Sequence, residues 1–218
     1  MTEKRNVPIL KTRVKRTLPW LWFFACLAAL FAFMQWRLEY VLDSDISSEL
    51  VLANLLAGEK AILSANWYYS TELHVWFSQL IFAPLFAVFS NWHTVRMAGS
   101  FILYALVLLS YYYLCRRLRL KRLYLWTAPV LLLPVSTLYF QFAIYATAYT
   151  FYVANAFLIL AMMLHLPRCE NRTGRAALAC GVGALSLLTG MNGPRYLMVF
   201  YAPLCLAALA LLLRRGKA

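Results

Sequence analysis

Three of the chain's eight carboxylates, Asp43, Asp45 and Glu49, fall within seven residues of the stretch YVLDSDISSEL at positions 40–50, directly after the first long apolar run. A carboxylate set against low-dielectric material has its pKa raised toward the working range and can take a proton as a general base. Two carboxylates spaced Asp-x-Asp can instead hold a divalent cation against a phosphate. Structural roles fit the same residues: Asp45 as a helix cap, Asp43 in a turn, and Glu49 on a first helical turn, where negative charge suits the helix dipole.

Two arginines complement the acids. Arg96 stands at the start of one apolar run, and Arg195 at the start of the last, in MNGPRYL. A guanidinium at headgroup depth suits bidentate contact with a phosphate, although snorkelling to ordinary lipid headgroups is the alternative. Gln141, Tyr145, Thr147, Tyr149, Thr150, Tyr152 and Asn155 form a polar stripe. Such groups hydrogen-bond between helices or line a headgroup cavity, and packing is the favoured role. Tyr111, Tyr112 and Tyr113 read as interfacial belt residues.

The elements that must position these residues are membrane spans. Of 218 residues, 63% are hydrophobic and 13% charged, against about 25% charged in a soluble domain. The expected architecture is all-α: a polytopic helical membrane protein forming a single membrane domain. After a basic tail at 1–17, five stretches reach spanning length: 18–36, 97–115, 123–141, 143–166 and 197–213. A sixth, 176–191, is slightly short and carries Gly181, Gly183 and Gly190. The first run is too long for the apolar part of a signal peptide and lacks a small-residue cleavage site, so it reads as an uncleaved span.

A net charge of +13 does not imply nucleic acid, which needs a basic face on a soluble domain. The basic residues gather instead at the ends of apolar runs, as orientation signals do. Five cysteines make an odd set with no disulfide framework, and neither they nor His74, His93 and His165 show zinc-ligand spacing.

Orientation turns on Val75–Phe89, about 15 apolar residues that include Ser78, Gln79 and Pro84. If that segment crosses, the cluster Arg116, Arg117, Arg119, Lys121 and Arg122 falls outside. If it lies along the outer interface or only dips in, 17 Lys and Arg are cytoplasmic and four (Arg37, Lys60, Arg96, Arg195) are outside, while six of the eight acids sort to the outer face. The positive-inside rule selects the second arrangement. It has six spans, both termini cytoplasmic, a plasma (inner) membrane location, and an outer loop over 37–96 with two interfacial helices. The first covers 46–57, with Asp45 as its N-cap and Gly58 at its end; the second covers 73–90. Between them Trp67, Tyr68 and Tyr69 sit at the depth where amphipathic rings collect.

One span, an acidic pair on leaving it, two surface helices, and an arginine opening the next span together resemble the N-terminal module of GT-C glycosyltransferases, which include the protein O-mannosyltransferases and lipid A aminoarabinose transferases. In that pattern the leading Asp is followed six residues on by Glu and fifteen on by Gly, as Asp43, Glu49 and Gly58 are here, and FSNWHTVRMAGS is similar to the segment that introduces the arginine. The resemblance covers roughly residues 18–122. The second member of the acidic pair is Ser44, with Asp45 one place later; STELHVW replaces the family's Pro-Pro-Leu turn; and family members usually have more than ten spans.

The resemblance implies sugar transfer from a polyprenyl-phosphate donor to an acceptor at the outer membrane face. Asp43 would be the catalytic base, assisted by Asp45 through a hydrogen bond or a divalent cation. Glu49, Trp67, Tyr68, Arg96 and Arg195 would bind substrate, the aromatics by stacking on sugar and the arginines at the lipid phosphate. The implied partners are a polyprenyl-phosphate-linked sugar and membrane lipid, with the acceptor unidentified and no nucleic acid. The alternative is a non-catalytic membrane protein: a truncated paralogue, an accessory subunit or a carrier of lipid-phosphate sugars.

Overall fold

A computed structural model of the chain describes residues 6–37, 44–69, 75–133, 135–136 and 147–215. All regular elements among them are helical. They are α1 (Asn6–Arg37), α2 (Ser44–Glu59), α3 (Gln79–Phe86), α4 (Trp92–Arg117), α5 (Lys121–Thr127), α6 (Thr147–His165), α7 (Arg172–Gly190), α8 (Pro194–Tyr196) and α9 (Ala202–Arg215). A 3-10 segment, Ala128–Leu132, continues α5, and a π-helical turn, Leu197–Tyr201, joins α8 to α9. Four segments are long and apolar enough to cross a membrane: Thr17–Trp36, Trp92–Arg117, Tyr149–Arg168 and Pro194–Leu213. Their bare surfaces agree, since Leu21, Phe24 and Phe31 on α1 and Leu209, Leu211, Leu212 and Leu213 on α9 are exposed. Apolar area on that scale belongs to a protein whose solvent is lipid.

Several elements differ from the sequence expectation, each for a visible reason. The expected span at 123–141 is not one continuous α-helix in its described part: α5 tightens into the 3-10 segment at Ala128–Pro129 and Leu133 is extended (φ −95°, ψ 140°). Pro129 has no N–H to give to a helix, and a residue preceding proline, as Leu133 precedes Pro134, is pushed out of the helical region. The helix expected over 73–90 is only the eight residues of α3, about 12 Å long. Pro84 cannot donate to the Leu80 carbonyl, and the helix unwinds within a turn. Helix α2 runs one residue past Gly58. Lys60 then takes a left-handed conformation (φ 51°), and the Ala61 N–H reaches back to the Leu56 carbonyl at 3.2 Å, a Schellman closure made without glycine.

The longest helix pairing is α4 against α6, with α3 lying across α4 at one end. At that crossing the Phe82 ring sits where a side chain on Gly99 would stand. One core cluster gathers Leu50 and Ala53 of α2, Phe77 and Phe82, Val95 and Leu103 of α4, and Phe151 of α6. A second joins α1 (Leu30, Met34) to α4 and Leu132, and a third joins α6 and α7 to Tyr196. The bundle therefore has an α2–α3 end, which carries the acidic stretch, and an α4–α5 end, where Arg168 donates to the Arg117 carbonyl.

Candidate functional site

Helix α2 enters the site through one face. Leu50, Leu52, Ala53 and Leu56 are buried, while Asp45 and Ser48 are exposed. Asp45 is not the N-cap; it lies inside the first turn of α2, which begins at Ser44. There its charge still suits the orphan N–H groups. Glu49, one turn on, is half-buried, and its Oε2 accepts a hydrogen bond of 3.1 Å from the hydroxyl of buried Ser78. Asp43 lies outside the described residues.

Helix α4 brings the cation. Its N-cap is Asn91, whose side chain accepts from the Thr94 N–H at 3.0 Å. That cap sets the register in which Val95, Arg96, Gly99 and Ser100 face inward. Arg96 is only 4% exposed. It adjoins Val95, which shares a core cluster with Leu50, the residue after Glu49. Glu49 and Arg96 are thus each the chain neighbour of a member of that cluster. A guanidinium at such burial is retained only in polar or charged company.

Arg195 arrives by a different route. Gly193 has φ 101° and ψ 174°, a conformation open essentially to glycine alone. Pro194 then starts α8, where its missing N–H does no harm. The exposed Arg195 guanidinium donates to the Tyr149 hydroxyl and lies 5.5 Å from that ring's centroid. Tyr149 in turn packs on the cluster containing Leu50 and Val95.

The polar stripe on α6 does connect helices. Asn155 accepts from the Trp76 indole N–H at 3.2 Å and donates to the Phe151 carbonyl at 2.8 Å. The Tyr152 hydroxyl donates to the Asn192 carbonyl at 3.1 Å. Gln141 and Tyr145 lie outside the described residues. Near the opposite end, the Tyr111 hydroxyl donates to Thr127 at 2.9 Å, joining α4 to α5.

Trp67 and Tyr68 are not brought to the acids. Asn66 donates to Glu59 Oε1 at 2.7 Å, which ties this loop to the C-terminal end of α2, about 15 Å along the helix from Glu49. Tyr68 is 88% exposed. Hydrogen bonds from Ser64 and Asn66 hold the Glu59 carboxyl below the ordinary range for a glutamate.

The sequence reading missed three residues that shape this end. Asn192 is fully buried and donates to the Trp76 carbonyl; its place in Asn-Gly-Pro marked a turn but gave no sign of a latch. Ser78 seats Glu49. Gln79 is 2% exposed, neither of its amide atoms has a hydrogen-bond partner, and it lines a cavity of about 280 Å³ between α2 and α3, with Lys60 at the wall. A primary amide in that position can donate to one hydroxyl and accept from another. Among the described residues no group of three or more His, Cys, Asp and Glu converges to hold a metal ion. No protein family, curated protein or solved structure matches the chain.

Proposed function

We propose that the chain is a GT-C-like glycosyltransferase, or the N-terminal part of one, acting on a polyprenyl-phosphate-linked sugar at the outer membrane face. The observation that carries this reading is the burial of Arg96 beside the cluster that seats the Glu49–Ser78 pair. A fixed cation near a partly buried carboxylate suits group transfer from a lipid phosphate. The acceptor's hydroxyl or amine attacks the anomeric carbon and its proton passes to Asp43. The bond from that carbon to the phosphate oxygen breaks, and polyprenyl phosphate departs with the added negative charge. Arg96 and Arg195 bind that charge most strongly as it develops, which lowers the barrier instead of only holding the ground state. Asp45 assists by hydrogen bonding. Gln79 offers an amide for a substrate hydroxyl, a contact different in kind from the sugar stacking that the resemblance implies for Trp67 and Tyr68. No step is routed through a cation.

Six spans with both termini cytoplasmic complete the proposal. Helix α7 leaves the Arg168 end of α6, and the turn following it meets Tyr152 and Trp76 near the other end. It therefore travels the same thickness as α6 although its composition is less apolar. Val75–Phe89 begins at Trp76, against Asn155, and ends with Phe86 on Trp92, ring centroids 4.8 Å apart. Phe86 meeting Trp92 at the start of α4, with Trp76 reaching Asn155 near the middle of α6, supports a segment that dips in without crossing.

The test of function is transfer from a polyprenyl-phosphate sugar in membranes. Asp43→Asn is expected to reduce turnover about 10²–10⁴-fold with donor binding retained. Undiminished turnover removes the proposed base and leaves the carrier or accessory reading. Topology is tested with an impermeant thiol reagent and single cysteines at positions 45, 90 and 120 in a background without native cysteines; the first two label from outside and the third does not.

A further inference from the structure

At the α4–α5 end, Arg116, Arg117, Arg119, Lys121 and Arg122 meet Arg168, which comes from the α6–α7 turn, around a cavity of about 810 Å³ with no carboxylate in its wall. The protein itself fixes two of the six cations. Arg168 donates to the Arg117 carbonyl, and the Arg117 guanidinium donates to the Tyr113 hydroxyl at 3.1 Å while lying 4.7 Å from that ring's centroid. The side chains of Arg116, Arg119, Lys121 and Arg122 make no hydrogen bond or ion pair with the other described residues.

Orientation by positive charge asks only that Lys and Arg lie near the end of a span. It does not ask that they line one hollow, or that a sixth be delivered from a turn 51 residues away and anchored there. Nor does it ask for Arg119 at φ 65°, in a closure where the Leu120 N–H bonds the Cys115 carbonyl at 2.8 Å and glycine would serve better. Like charges gathered in this way repel one another unless an anion occupies the space between them. Two more residues of the wall, Leu120 and Leu123, are 43% and 50% exposed, and Trp126 one turn on is 43% exposed. Apolar side chains beside a cationic hollow suit acyl chains beside a phosphate, and an indole suits the headgroup boundary.

We propose that this cavity binds the headgroup phosphate of an acidic phospholipid. The site is remote from Arg96 and Arg195 and does not depend on the glycosyltransferase reading.

The test uses the full chain in non-ionic detergent. Dioleoylphosphatidylglycerol, dioleoylphosphatidylcholine and inorganic phosphate are the probes, read by native mass spectrometry and by the shift in unfolding temperature. The wild-type chain is expected to retain phosphatidylglycerol in preference to phosphatidylcholine and to be stabilised by it. Arg119→Gly combined with Lys121→Gln and Arg122→Gln should weaken retention roughly a hundredfold, and Arg119→Gly alone about fivefold, each charge removed costing about a factor of five. The single variant relaxes its turn, so it keeps the measurement available should the triple variant fail to fold. Equal retention of the two lipids, or unchanged retention by Arg119→Gly, overturns the site. Stabilisation by millimolar inorganic phosphate equal to that by phosphatidylglycerol overturns the lipid as its occupant in favour of a soluble phosphate.

Discussion

Cations are handled differently at the two ends of this bundle. At the α2–α3 end they come singly, Arg96 inside the packed layer and Arg195 laid on the Tyr149 ring. At the α4–α5 end six share one hollow, and the side chains of two of them are engaged by other described residues. A single buried guanidinium is held by its surroundings and suits one defined negative charge, whereas a crowded open cluster suits an anion that arrives from outside the protein. The polar groups follow the same division: Glu49, Ser78, Asn155 and Asn192 are tied across elements at the first end. Orientation by charge accounts for the number of cations at the second end but not for their shared hollow, and it leaves the first end unexplained.

The sharpest way to break this contrast is at Gly99. A methyl group there would overlap the buried Phe82 ring, so Gly99→Ala should destabilise by about 3 kcal/mol. Adding Phe82→Leu should recover part of the loss, as a thermal unfolding series in detergent would reveal. Gln79→Leu carries an opposite sign. Removing an amide that is buried without hydrogen bonds should stabilise by about 2 kcal/mol, and sugar transfer should fall in the same variant. A gain in stability with full transfer would strip Gln79 of its recognition role. The two left-handed turns compare the ends directly. Lys60→Gly and Arg119→Gly should each stabilise by about 1 kcal/mol, but only the second should weaken retention of phosphatidylglycerol.

The smallest effect is at Glu59. Its carboxyl lies below the ordinary range in the folded chain, so its contribution is present above the unfolded-state pKa and is lost as pH falls through the lower folded value. Glu59→Gln should slightly lower the neutral plateau of a stability–pH curve and flatten its acid limb, leaving stability at the acid end unchanged.

The helical class and the apolar segments were legible in the sequence because length and composition decide them. So was the inward role of the α6 stripe, since Tyr152 and Asn155 can be satisfied in lipid only by neighbours. The proline-controlled breaks at Pro84 and around Pro129–Pro134 were legible in principle, but apolar content outweighed them in the reading of 73–90 and 123–141. Trp67 and Tyr68 were misplaced for another reason. Membrane depth follows from residue type, whereas position along α2 depends on the bond from Asn66 to Glu59, which no periodicity encodes. Asn192 and Gln79 were invisible because a lone amide carries no pattern.

Trp76 is tied twice, by its indole to α6 and by its carbonyl to the turn after α7. Peeling the α2–α3 layer away would sever both ties in the same event. The half-buried indole would then pass from a dry to a wet setting, which makes it a native optical reporter of how firmly that layer is seated.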